Sequence, residues 1–78
     1  MKEFTIRFNS VQDVQKFVDL STAQPFPISV GNDYHKVNGK SFMEIFSLNF
    51  DYPINVWMEC SDDQYGKFLS DAQVFLVK

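Results

Sequence analysis

The chain has 78 residues, a net charge of −3, one cysteine, and nine Phe, three Tyr and one Trp. A chain this short is one domain, residues 1–78, and buries only about 60% of its unfolded surface, so its rings, at ~150–250 Å² each, must supply much of the core. The acidic balance and scattered cations exclude a nucleic-acid binder built on a basic patch, the single Cys60 excludes an internal disulfide framework, and no apolar run approaches the ~20 residues that span a bilayer.

Met1-Lys2-Glu3 leads straight into an alternating pattern, with no signal peptide expected. Phe4, Ile6 and Phe8 alternate with Thr5 and Arg7, which predicts a strand with one buried face. Ser10 then caps a helix, with Asp13 standing in for the Glu or Gln of a capping box. Val14, Phe17, Val18 and Ser21 share one face of that helix, which fades by Ala23, before Pro25. Phe26, Ile28 and Val30 alternate as a second strand, whose Pro25 and Pro27 suit a strand start or an edge. Gly31-Asn32-Asp33 is turn chemistry, Tyr34 to Val37 reads as a third strand, and Asn38-Gly39 closes the hairpin.

Ser41-Phe42-Met43-Glu44 is a second capping-box pattern and predicts a helix of about two turns. Asn49 to Pro53 reads as a loop. Ile54, Val56, Met58 and Cys60 form the inward face of a fourth strand, with Asn55, Trp57 and Glu59 turned away. Ser61 to Gln64 is a third capping box, with Asp62 and Asp63 placed to complement the helix dipole. Tyr65, Phe68, Leu69, Ala72, Phe75 and Leu76 recur at helical spacing, weakened by Gly66. The order is β-α-β-β-α-β-α. One apolar face per strand predicts an α+β fold, a single antiparallel sheet with helices on one side.

The stretch Gly39-Lys40-Ser41-Phe42-Met43-Glu44-Ile45-Phe46-Ser47-Leu48 resembles the second-helix segment of HPr, the histidine-containing phosphocarrier of the bacterial sugar phosphotransferase system. In that family a Lys-Ser pair opens a short helix of apolar residues. From Ile28 onward the chain can be laid on the family with few or no gaps. The resemblance implies an open-faced two-layer sandwich with strands in the spatial order 1-4-2-3. Separately, the single Cys60 fits a reducing cytoplasm. The sequence shows no paired carboxylates in a pocket pattern, no nucleophile–base pair and no metal cluster, so a non-enzymatic protein without cofactor or bound metal is expected. By the resemblance, Lys40, Phe42, Met43 and Phe46 form a partner-docking surface. Ser41 becomes a phosphoacceptor for an HPr kinase/phosphorylase, with a transcription regulator or another phosphotransferase-system component as reader.

The departure lies where the family's chemistry sits. The phosphorylated histidine, in a Gly-(Ile/Leu)-His-Ala-Arg-Pro motif after the first strand, has no counterpart. The matching stretch is Asn9-Ser10-Val11-Gln12-Asp13, with Ser10 and Gln12 in the degenerate carrier region and Asp13 placed to repel a phosphate.

Each candidate has a plainer reading beside the functional one. Ser41 is a phosphorylation site or only a helix cap, and a phosphate of about −1.5 to −2 charge suits a helix start. Phe42, Met43 and Phe46 cannot all point inward from so short a helix, so they are a docking face or a small packed cluster under a loop. Ile45 and Leu48 are the better core candidates. His35, the lone histidine, is an exposed strand residue rather than a carrier. Trp57 shields the open sheet face or joins a dimer interface, and the chain is a monomer or a homodimer. Asp62, Asp63 and Asp71 lack metal-site spacing. The expectation is therefore an HPr-like regulatory or docking protein. The alternatives are a plain protein-interaction module and a residual phosphocarrier.

Overall fold

The computed structural model describes residues 2–48 and 52–76. In chain order these form β1 (Lys2–Ile6), α1 (Val11–Thr22), β2 (Ile28–Gly31), β3 (Lys36–Asn38), α2 (Phe42–Phe46), β4 (Ile54–Met58) and α3 (Asp62–Asp71), followed by a 3-10 turn at Gln73–Phe75. The fold is α+β. Its four strands make one antiparallel sheet in the order β1-β4-β2-β3.

Register explains why one face is buried. Phe4 lies opposite Val56, Val56 opposite Val30, and Val30 opposite Val37, so one apolar row crosses all the strands. Ile6 beside Ile54, and Met58 beside Ile28, extend it. These side chains join Val14, Phe17 and Val18 of α1, Ile45 of α2 and Phe68 of α3 in a single core. The opposite face carries the alternate residues: Thr5, Asn55 and Lys36 in one row, Glu3, Trp57, Ser29 and Asn38 in the next. Thr5 Oγ1 donates to Asn55 Oδ1 at 3.0 Å. Lys36 lies opposite Gly31, which has no side chain, and its ammonium crosses that gap to sit 4.4 Å from the centre of the Trp57 ring.

The strands are shorter than alternation alone predicts, for identifiable reasons. β1 stops at Ile6 because the Arg7 N–H donates to Phe75 O at 2.8 Å, and Ile6 bridges Leu76. Phe8 lies beyond the strand yet is buried. β2 starts at Ile28, after two prolines that have no N–H to offer a ladder. Phe26 is buried all the same, against Phe68. Tyr34 and His35 belong to the turn, because Asn32 Oδ1 accepts both of their N–H groups at 2.9 Å. β4 ends at Met58, so Cys60 is outside it and half-buried against the core. Of the expected loop before β4, residues 49–51 lie outside the described residues.

The helix starts follow the capping patterns in different degrees. At α3 the reciprocal box is complete: Gln64 N–H donates to Ser61 Oγ, and Ser61 N–H to Gln64 Oε1. At α1 Ser10 Oγ accepts from Asp13 N–H, while the Asp13 carboxylate reaches past Ser10 to the N–H of Asn9. At α2 only half of the box forms: Glu44 N–H donates to Ser41 Oγ at 3.5 Å, but Ser41 N–H is already bonded to Asn38 O. α3 ends at Asp71 rather than running to Leu76, and Phe75 reaches the core from the 3-10 turn. Lys2 pairs with Asp62 across the β1–α3 junction. A hydrogen bond from Lys2, and then its charge, hold the Asp62 carboxyl below its usual value, and the same contact raises the Lys2 ammonium. Both groups are in solvent, where salt screens such pairs.

Candidate functional site

α2 is short, and what fixes it is its lead-in. Gly39 N–H donates to Ile28 O at 2.8 Å, closing the β2–β3 hairpin. A Cβ on Gly39 would stand 2.5 Å from Ile28 Cγ2, so only glycine lets the two segments approach this closely. Ser21 of α1, fully buried, places its hydroxyl 2.7 Å from Gly39 O, with Phe17 O at 2.9 Å and Val18 O at 3.3 Å. A hydroxyl has one proton to donate, and its shortest contact is the one that joins α1 to the α2 lead-in. Lys40 completes the tie: its N–H bonds Asn38 Oδ1, and its ammonium donates to Gln24 O at 2.8 Å, just past the end of α1. A cation there also complements the negative end of the helix dipole.

Ser21→Ala tests this anchor. It strips the Gly39 carbonyl of a buried donor and should cost about 1–2 kcal/mol. The measurement is urea denaturation, in which the midpoint should fall with the slope unchanged. An unaltered midpoint would mean that the contact does not hold α2.

From this base the predicted docking residues diverge. Ile45 is fully buried and anchors α2. Phe42 is half-buried against the core and meets Phe46 edge-on, their centres 5.6 Å apart. Met43 is 76% exposed and Phe46 45%, the most exposed apolar side chains of α2. Ser41 is half-buried at the helix start. Lys40, the other residue expected on the docking surface, is half-buried, and its ammonium donates to Gln24 O.

Ser10 and Gln12 are exposed at the other end of α1. α1 has 12 residues, which at a helical rise span ~18 Å, so the degenerate carrier region and the Lys40-Ser41 anchor sit at opposite ends of one helix. The Asp13 carboxylate and Ser10 hydroxyl already take first-turn and lead-in N–H groups, the donors that an incoming phosphate would need. His35 is exposed in the β2–β3 turn. Among the described residues, no group of three or more His, Cys, Asp or Glu is placed to hold a metal ion, and no helix is long and apolar enough to cross a membrane.

Sequence reasoning missed the bonding roles of Ser21, Gln24 and Asn38. Ser21 carried a signal, a polar residue on an otherwise apolar helix face. Gln24 acts through its carbonyl, which no side-chain pattern reveals.

Compared with known proteins, the chain matches no family model and no curated protein.

Proposed function

We propose that the chain is an HPr-like docking protein of the phosphotransferase system, cytoplasmic and non-enzymatic, which binds partners without carrying phosphate on histidine. The carrying observation is Met43, 76% exposed, beside the partly exposed Phe46 that packs on Phe42, on a helix that Ile45, Ser21 and Gly39 fix in place. Exposed Met and aromatic side chains on a held element are the usual makings of a protein contact. Two further features support the reading. The strand order β1-β4-β2-β3 is the one the resemblance implies. Asp13 also puts a carboxylate where a phosphohistidine would need N–H donors and a cation. In this reading Ser41 is the switch. An HPr kinase/phosphorylase adds phosphate beside Phe42 and Met43, and a transcription regulator or phosphotransferase-system protein reads the result.

The test is intact mass after incubation with ATP and HPr kinase, with Ser41→Asn alongside. Asparagine keeps a capping oxygen but has no hydroxyl, so it separates loss of the acceptor from loss of the cap. One phosphate on the wild type and none on Ser41→Asn is the expected result. An unmodified wild type, beside a control HPr that the same kinase labels, would sink the switch.

A second reading, a plain interaction module, is favoured by a specific observation: both halves of the Lys-Ser pair have structural roles, Lys40 on Gln24 O and Ser41 N–H on Asn38 O. A residual phosphocarrier is a third. It requires an acid-labile phosphate from phosphoenolpyruvate and enzyme I, and an unchanged mass after that treatment rules it out.

A further inference from the structure

The oxidisable sulfurs of the chain are three methionines and one cysteine, and their settings differ. Met58 is 1% exposed in β4, opposite Lys2 on one side and Ile28 on the other, and belongs to the core. Cys60 is a free thiol, half-buried against the same core. Met43 stands largely in solvent on α2. That helix is held without it: Ile45 is the buried anchor, and the lead-in is tied by Ser21 to Gly39 and by Lys40 to Gln24. A thioether in solvent meets oxidants directly, whereas one in a packed core meets them only when the chain opens.

We infer that Met43 is a reversible oxidation site, at which a peroxide turns the most exposed apolar position of α2 polar while the fold is kept. The sulfur lone pair attacks one peroxide oxygen, the O–O bond breaks and an S–O bond forms. The proton on the transferred oxygen passes to the departing hydroxide, which leaves as water, so sulfur is oxidised and the peroxide reduced. The product is polar and chiral where the thioether was apolar and adaptable. At Met43 water solvates the new oxygen, so the fold loses little. At Met58 the same oxygen would enter the core, where an unpaired polar group is strongly unfavourable. Met43 and Phe46 stand three residues apart on one side of α2, so the oxygen joins the surface that carries that ring. A methionine sulfoxide reductase restores the thioether: its thiol pair becomes a disulfide and the oxygen leaves as water. This chemistry does not depend on the phosphotransferase reading. Only the role of the face in docking a partner rests on that reading.

The experiment is a time course of the full chain in hydrogen peroxide, quenched, cut after glutamate and read by mass. Cuts after Glu3, Glu44 and Glu59 place Met1, Met43, Met58 and Cys60 on separate fragments. The Met43 fragment should gain one oxygen at least about tenfold faster than the Met58 fragment, and the difference should vanish in the urea-unfolded chain. Far-ultraviolet circular dichroism should stay unchanged while Met43 oxidises. On a phenyl column under native conditions the oxidised chain should elute before the untreated one. Methionine sulfoxide reductases for both epimers should return it to the original position, and Met43→Leu should lose the peroxide-dependent shift. Equal rates at Met43 and Met58 in the folded chain would overturn the inference. So would loss of the circular dichroism signal as Met43 oxidises, a sulfoxide that the reductases leave in place, an unshifted elution, or a shift that Met43→Leu retains in full.

Discussion

Gly31→Ala should destabilise the protein by on the order of 3 kcal/mol, more than alanine at either of the other two glycines. Gly31 ends β2 with φ at +143°, a conformation that an L side chain rarely adopts. The obstacle is also immediate. A Cβ there would stand 2.0 Å from the His35 carbonyl oxygen, with His35 C at 3.1 Å and Lys36 Cα at 3.2 Å. All three are backbone atoms, so no rotamer change relieves the clash. The same His35 oxygen accepts from Asn32 N–H at 3.0 Å, the bond that closes the β2–β3 turn. Moving it opens the turn and pulls Lys36 away from Trp57.

Because Trp57 is the only tryptophan, its fluorescence reports on that hairpin, and urea denaturation followed at its emission measures the loss. Gly66→Ala is the matched control. It lies in α3, and an added methyl meets nothing within 4 Å. There alanine should stabilise by about 0.5–1 kcal/mol, its ordinary helical advantage. If the two alanine variants proved equally stable, the close approach at Gly31 would not exist.

The contrast between these glycines marks where the sequence stops being readable. Alternation at Phe4 and Ile6, and at Ile54, Val56 and Met58, revealed two strands and their buried faces. Ser10, Ser41 and Ser61 each marked a helix start, and all three are N-caps. Two of the misses share one cause: a distant or side-chain partner captured a backbone group. Phe75 O took the Arg7 N–H and ended β1 early, although Phe8 kept its buried place. Asn32 Oδ1 took two N–H groups and turned Tyr34 and His35 into loop residues. In α3 the spacing from Phe68 to Ala72 to Phe75 suits a continued helix and a 3-10 turn equally, so periodicity could not show where the helix stops. Lys40 has a backbone partner that its motif does not show. Read beside Ser41 it belongs to a motif, and in space its ammonium belongs to Gln24, which lies 16 residues away.

Phe68→Ala should cost about 3–5 kcal/mol, the usual loss when a buried ring is removed from a tightly packed core. Phe68 is fully buried on α3 and meets three rings from three different parts of the chain. Phe4 of β1 lies 5.9 Å away, Phe26 before β2 6.0 Å, and Phe17 of α1 6.1 Å, all tilted or edge-on. Such geometry adds about 0.5–1.5 kcal/mol per pair beyond the buried area. Phe17 in turn meets Phe8 and Phe75, so one ring network ties β1, α1, α3 and the C-terminal turn together. The surrounding rings support one another, so the cavity has little freedom to collapse.

A chain of this length has about 0.05–0.15 kcal/mol of stability per residue, roughly 4–12 kcal/mol in all, so the loss would leave a large unfolded fraction. Phe68→Leu refills most of the volume without the ring faces, and should fall between the wild type and the alanine variant. Their difference isolates the aromatic share. Equal costs for leucine and alanine would assign the loss to ring geometry, and a leucine variant as stable as the wild type would assign it to volume. An alanine variant within about 1 kcal/mol of the wild type would remove Phe68 from the centre of the core. The docking face proposed on α2 answers to a different anchor, Ile45 with the Ser21–Gly39 contact. A Phe68 variant that is still folded should therefore bind α2 partners unchanged, which separates loss of fold from loss of function.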